Sequence, residues 1–413
     1  MTAMRIPFWI SSNTQASTVF FSPVSWQPRI ELSSYTSMTA SWVRSQRMVG
    51  VKGDTTFPSP SNIWRKIVGS ISLPSLAIVA VADFYKKRAD QWAARYKCAS
   101  FPDYRKLLDR KEVDAVTYAT PEHWHYLPCI HACQAGKDVY AEKPLTLYVR
   151  EGRVLVDTVR KHGRVFQVGS QQRTMAMNRI ACELVRTGGL GKILEVQAPC
   201  YPGAGESPKD VGPAEPVPAG LDWDRWLNQA AWRPFNGRWG GGGRDFAGGE
   251  MTNWGAHGVD QIQWGLGADG TGPVEMWPAT EGPNGKVEMR YANGVPVRFV
   301  LDHGPWGGAI FVCEQGKLEV NRNKFTSNPK DIAVELLKKV SADEEERKWG
   351  DQTGLWQAQG HLQNWLDCMR TRQTPVAGGC RRQTAGPGRE SRRWGRLSRP
   401  SASSILPRPW RVC

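Results

Sequence analysis

Glu142-Lys143-Pro144 and the upstream run Thr120-Pro121-Glu122-His123-Trp124-His125 hold residue types that could do chemistry together. A lysine that ends a strand puts its ammonium at the carboxyl edge of a sheet, where ligands of open α/β sheets bind. Pro144 stops the strand and fixes the backbone, so the Lys143 stem leaves in a set direction. Such an ammonium can hydrogen-bond a hydroxyl and stabilise developing alkoxide charge. Partial burial lowers its pKa toward the range in which it passes a proton. A second cluster, Met251-Thr252-Asn253-Trp254-Gly255-Ala256-His257, sets Asn253 and His257 four residues apart, a step that on a helix would share one face. An imidazole, with an ordinary pKa near about 6.5, is a suitable general base for a hydroxyl. Asn253 does not titrate but can orient a substrate.

The elements that must position these groups alternate. Leu76–Val81 is a continuous apolar run ending in Ala82-Asp83, the pattern of a buried parallel strand. Helical segments are expected over Lys86–Lys97, Tyr104–Asp109, Trp124–Gln134 and Val149–His162, with strands at Val113–Ala119, Val139–Ala141 and Val165–Val168 between them. Met48–Val51 could supply a first strand. The fold class is therefore α/β: an N-terminal Rossmann-like doubly wound parallel sheet. After Met175 the texture changes to alternating segments separated by turn residues (Ile193–Ala198, Val287–Tyr291, Val295–Leu301, Ala309–Cys313, Lys317–Val320), which predict a second α+β domain with a mostly antiparallel open sheet. The expected division is an irregular extension over 1–46, a nucleotide-binding domain over 47–173, a substrate domain over 174–376 whose 355–370 helix packs back on the first, and an Arg-rich irregular tail over 377–413. The breaks in texture near Ser70 and after Ala377 are those that out-of-frame ends flanking an intact middle would produce.

The pairing of Thr120-Pro121-x-x-x-His125 with Glu142-Lys143-Pro144 resembles the glucose–fructose oxidoreductase and inositol dehydrogenase family (Gfo/Idh/MocA). These are nicotinamide-dependent enzymes of sugars and cyclitols. The resemblance runs from about Val49 to about Pro375. It implies hydride transfer to NAD from a hydroxyl of a sugar, glycoside or cyclitol, with Lys143, His257 and Asn253 as the catalytic group. It places Thr120, Pro121, His123, His125, Glu142, Lys143 and Gln172 around the cofactor, and Arg173 with Asn253 and His257 against the substrate. Trp223, Trp226 and Arg233 lie among carboxylates and Asn236, and aromatic faces in such company suit sugar rings. Family members commonly form dimers or tetramers, which the open face of the second sheet would suit. Two alternatives stand beside the dehydrogenase: redox-assisted glycoside cleavage, in which the hydride returns, and a non-catalytic relative that has lost its cofactor site.

A dinucleotide unit also needs a Gly-rich turn and an acid after the second strand. Asp83 can hold both ribose hydroxyls and would repel a 2′-phosphate, which favours NAD over NADP. If Gly53 is the first glycine of G-x-G-x-x-G, however, Thr55 and Pro58 occupy the other two positions. A Cβ at Thr55 obstructs the pyrophosphate and Pro58 has no N–H to give. Losing two such bonds costs roughly 3–6 kcal/mol, on the order of 10²- to 10⁴-fold in affinity.

Composition excludes several other classes. The formal charge is +15, but Cys380–Cys413 carries +8 and the first fifty residues +3, so the body between them holds only +4. A basic face for nucleic acid is not expected. No apolar run approaches the ~20 residues of a membrane helix, and no signal peptide is evident. Nine cysteines at irregular spacing suit free thiols and a cytoplasmic setting. His125, Cys129 and Cys133 recur at four-residue steps, but ligands on successive turns span about 12 Å at 1.5 Å per residue, too far for one ion. A buried cysteine stripe, and no metal, is the expectation.

Overall fold

The computed structural model describes residues 48–53, 76–206, 212–237, 243–281, 285–322, 324–337, 355–378 and 410–411. The extension 1–46, Thr55, Pro58, the break near Ser70 and nearly all of the Arg-rich tail lie outside them.

The first lobe is built on strands β1 (Met48–Gly53), β2 (Leu76–Ala82), β3 (Ala99–Phe101), β4 (Ala115–Tyr118), β5 (Asp138–Ala141) and β6 (Phe166–Val168), in the order β3-β2-β1-β4-β5-β6. Pairs β2–β3, β4–β5 and β5–β6 are parallel. Helices α1 (Lys86–Tyr96), α2 (Tyr104–Leu108), α3 (Tyr126–Gln134) and α4 (Val149–His162) connect them. Their ends follow local chemistry. The Asp103 carboxylate accepts from the Arg105 amide to cap α2, and Gly163 ends α4 at φ +60. Val116, Val139, Ala141, Leu107, Leu155, Trp124, Cys129 and Cys133 share one buried core, so the cysteine stripe is packing. Strand β3 was not foreseen; three residues are too few to show a period.

One departure bears on function. Strand β1 runs antiparallel to both neighbours, pairing Met48 with Ala82 and Tyr118, and Gly53 with Leu76. In a doubly wound sheet the first strand is parallel, and its last residue stands beside the carboxyl end of the second. Here Gly53 stands beside the amino end of β2, at the sheet edge opposite Asp83.

The second lobe holds β7 (Ile193–Pro199), β8 (Glu275–Pro278), β9 (Val287–Arg290), β10 (Pro296–Leu301), β11 (Ala309–Cys313), β12 (Gly316–Asn321), β13 (Lys324–Asn328) and β14 (Trp410–Arg411), in the order β13-β12-β11-β7-β10-β9-β8-β14. Among the described strands of this lobe, only the β7–β10 pair is parallel. Period-two alternation turns Val196, Ala198, Val297, Phe299, Ala309, Phe311, Leu318 and Val320 to one face. That face packs on α5 (Ala176–Arg186), with Met177, Ala181 and Val185, and on α7 (Glu250–Gly265), with Ile262. A residue such as Phe311, fully buried there, contributes about 1.5–3 kcal/mol. A short helix α6 (Trp223–Leu227) precedes α7, and α8 (Lys330–Leu337) follows β13. Finally α9 (Leu355–Thr371) lies on the first lobe, where Trp365, Leu366 and Cys368 pack with Tyr140, Ala115 and Val165. No described helix is long and apolar enough to cross a membrane.

Candidate functional site at the seam of the two lobes

Strand β5 delivers Glu142 and Lys143 to the carboxyl edge of the first sheet, where the chain meets α7. The Lys143 ammonium is 5% exposed and donates to Asn253 twice, to Oδ1 at 2.7 Å and to the carbonyl at 3.1 Å. Asn253 in turn donates from Nδ2 to the Glu250 carboxylate at 3.1 Å. His257, one helical turn beyond Asn253, is 5% exposed, and its Nδ1 has no hydrogen-bond partner among the described residues. Burial holds its pKa well below the usual 6.5, and the nearby charges of Lys143, Arg322 and His361 push the same way. The imidazole is therefore a neutral base. Burial also lowers the Lys143 pKa, opposed by the carboxylates of Glu142, Glu122 and Glu250.

The neighbours of this pair are fixed by bonds between the lobes. Glu122 reaches from the β4 turn to the start of α7, accepting from the Gly248 amide at 2.8 Å and the Thr252 hydroxyl at 2.9 Å. Gln172 donates to the Gly307 carbonyl at 2.7 Å. Burial raises the Glu142 pKa against the charges of Lys143 and Arg322; Gln171 donates to its carboxylate at 2.9 Å. A Cβ at Gly169 would stand 2.7 Å from that carboxylate, which would have to move to make room for it.

At the carboxyl ends of β2 and β4 lies a narrow cleft lined by Asp83, Phe84, Pro102, Tyr104, Tyr118, Thr120 and Trp124. Asp83 accepts from the Tyr85 amide at 2.8 Å and lies 3.8 Å from Arg88. The buried Thr120 hydroxyl has no hydrogen-bond partner among the described residues. A carboxylate and a spare hydroxyl facing one cleft fit the sugar hydroxyls of a nucleoside. Pro121 opens the 3-10 turn that follows, accepting from the Trp124 amide at 2.8 Å.

Several expected site residues are elsewhere. Gly53 is at the far edge of the sheet, because β1 is reversed. His125 is in the turn, but its Nδ1 faces the Pro144 carbonyl and its Nε2 lies 2.7 Å from the Thr120 carbonyl. Its ring ties the two turns together and has no atom left for a cofactor. His123 faces the Trp226 carbonyl at 2.9 Å and packs on the Trp226 and Phe246 rings. Trp223 and Trp226 stack at 4.8 Å inside a core with Leu227, Phe235 and Phe246. They are buried, so they offer no face to a sugar. Arg233 pairs with Asp245 at 2.6 Å over the Phe246 ring. Arg173 is clasped by Asp260 at 2.8 Å and Asp269 at 2.7 Å, which raises its pKa further and leaves no fork for a substrate. Its role is to join the lobes.

Residues that sequence reasoning missed stand close by: Glu250, Glu122, Arg322, Tyr201, Trp254 and His361. Glu250 lies three residues before Asn253 on one helix, a spacing that puts them on one face and could have revealed it. Glu122 and Trp254 lie inside the two runs that carry the candidate residues, whereas Arg322, Tyr201 and His361 arrive from distant segments and left no local signal. Among the described residues no group of His, Cys, Asp and Glu could hold a metal ion.

Residues 64–170 match the family model described as an oxidoreductase family with an NAD-binding Rossmann fold, and residues 204–326 match its C-terminal alpha/beta domain. The 2,7-anhydro-N-acetylneuraminate hydratase of Mediterraneibacter gnavus is 33% identical over 117 residues, 28% of this chain and 31% of that protein. The scyllo-inositol 2-dehydrogenase (NAD(+)) of Bacillus subtilis is 32% identical over 122 residues, 29% of this chain and 36% of its own length. The matched stretch is thus about a third of each of these relatives. The WlbA dehydrogenase of Bordetella pertussis, solved with NADH and UDP-GlcNAcA, shares the fold at a TM-score of 0.50 and 19% identity, over 73% of this chain and 83% of that one. With both lobes matched, over more than half of its length together, the chain belongs to the Gfo/Idh/MocA family of oxidoreductases.

Proposed function

We propose that this chain oxidises or reduces a ring carbon of a sugar, glycoside or cyclitol, with NAD as the redox partner. The observation that carries the reading is the Lys143–Asn253 contact, which sets a buried ammonium from one lobe beside the helix face that bears the buried, neutral His257 of the other. In the oxidative direction His257 accepts the substrate hydroxyl proton. Lys143 donates a hydrogen bond to the oxygen and stabilises the alkoxide character that develops. Two of the three Lys143 donors are engaged by Asn253, which leaves one for a substrate oxygen. Glu250, held by Asn253, keeps the amide oxygen turned to the ammonium. NAD, when bound, supplies the hydride acceptor for the carbinol carbon. Asp83 and Thr120 are the residues to hold its adenosine end, and the Asp83 carboxylate disfavours a 2′-phosphate.

A second reading is supported by the relative named as a hydratase: redox-assisted bond cleavage, in which the hydride returns to the substrate. The discriminating experiment uses the full chain with NAD and a panel of cyclitols and pyranosides. Growth of NADH absorbance supports the dehydrogenase, and product without net NADH supports the second reading. Lys143→Met should lower kcat by on the order of 10³-fold while NAD still raises the melting temperature. No stabilisation by millimolar NAD would overturn both readings in favour of a relative that has lost its cofactor.

A further inference from the structure

The loop between β10 and β11 is held from both lobes. Gln172 donates to the Gly307 carbonyl at 2.7 Å, the Gly307 amide donates to the Tyr201 hydroxyl at 3.2 Å, and that hydroxyl donates to the Pro305 carbonyl at 3.4 Å. The Gly308 amide closes the turn on the Pro305 carbonyl at 3.2 Å. Pro305, Gly307 and Gly308 are buried. Gly307 takes φ +59, and a Cβ there would stand 3.0 Å from His257 Cβ, so the loop lies directly on the candidate base. Between these buried neighbours Trp306 is 56% exposed.

A single exposed tryptophan needs no explanation by itself. Here the backbone that carries it is fixed by four hydrogen bonds, and its ring is braced by two further aromatic rings. Trp306 meets Trp254 edge-on at 5.4 Å and Tyr201 at 6.1 Å, and Trp254 lies 6.0 Å from the His257 ring. The Arg322 guanidinium covers part of Trp254 at 5.8 Å. An exposed aromatic ring held in place, with an imidazole beyond its neighbour Trp254, suits a saturated ring with one apolar C–H face: the ring stacks while a rim hydroxyl points toward the base.

We propose that Trp306, supported by Trp254 and Tyr201, is the stacking platform for a pyranose ring, in the role that the buried Trp223 and Trp226 do not fill. This rests on the reading of the seam as a carbohydrate site. The platform selects a ring with equatorial substituents over an open-chain polyol, which has no flat C–H face.

The probes are methyl β-D-glucopyranoside and sorbitol, titrated by calorimetry into the full chain with and without NAD. Trp306→Ala should weaken the glucoside about tenfold, the equivalent of about 1.4 kcal/mol. Trp306→Phe should stay within about threefold of wild type, because it keeps an aromatic face. Sorbitol should bind more weakly and be unaffected by either change. Unchanged glucoside affinity in Trp306→Ala overturns the proposal, as does a wild type that binds the glucoside no better than sorbitol. Failure of NAD to stabilise the wild type would sink the oxidoreductase reading, yet the titrations without NAD still judge Trp306.

Discussion

His125 and His257 are both buried at the lobe seam, and burial lowers the pKa of both. Their bonding differs. His125 sits between two backbone carbonyls, so both ring nitrogens are committed. His257 keeps an Nδ1 with no partner among the described residues. The same contrast separates Arg173, gripped by two carboxylates, from Lys143, which retains a donor. Burial alone thus says little about role. A buried polar group whose bonds are complete holds the structure, whereas one with unused capacity is available to a ligand.

The sharpest way to break this contrast is to exchange the expected losses. His257→Gln should lower kcat by roughly 10²- to 10⁴-fold with little change in melting temperature, since no protein contact of Nδ1 is lost. The wild-type kcat/KM should lack an acid limb near 6.5. A base whose pKa is lowered stays deprotonated until the pH falls below that lowered value, so activity falls only in more acid solution. A full-size limb at 6.5 would show that His257 is not the base. His125→Ala should act on stability instead. It removes the one N–H of the neutral ring and so leaves a buried carbonyl without its donor, at a cost of about 1–3 kcal/mol, which urea denaturation will read. If it melts like the wild type, the tie between the two turns is not structural.

The last expected effect is one of pH on stability. His123 and His361 are buried, and burial pulls both pKa values down to about 4. The unfolded chain takes up a proton at each near 6.5 and the folded chain does not. Stability is therefore complete above that pH and declines as the pH falls from about 6.5 toward about 4. Between pH 7 and pH 5 the loss is about 2 kcal/mol for each imidazole, measurable as a lower midpoint in urea at pH 5.

Much of this was legible in the sequence. The Leu76–Val81 run specifies a strand, and the Glu142-Lys143-Pro144 turn an ammonium at the ligand edge of the sheet, through local composition alone; β2 is parallel to β3 only. The four-residue step from Asn253 to His257 sets their shared face. The direction of β1 was not legible, because a six-residue strand reads the same either way and its neighbours decide its sense. Nor was the fate of Arg173: its carboxylates lie 87 and 96 residues away, and nothing near it distinguishes a clasped guanidinium from a free one. Trp223 and Trp226 misled for a similar reason. Tryptophan among carboxylates looks alike whether it lines a groove or fills a core, and only the tertiary packing on Phe246 and His123 decides. Trp306, alone between Pro305 and Gly307, was passed over because its aromatic neighbours come from other segments.

The clasp of Arg173 has a consequence for how a ligand is received. Opening the cleft by swinging one half of the molecule from the other would strip a buried guanidinium of both its counter-ions, and Gln172 and Glu122 would give up their partners in the same movement. Breaking one such buried pair costs about 3–5 kcal/mol. Large-scale hinging is thereby discouraged, and arriving molecules meet a mould set in advance, so that less of their affinity is consumed in arranging it.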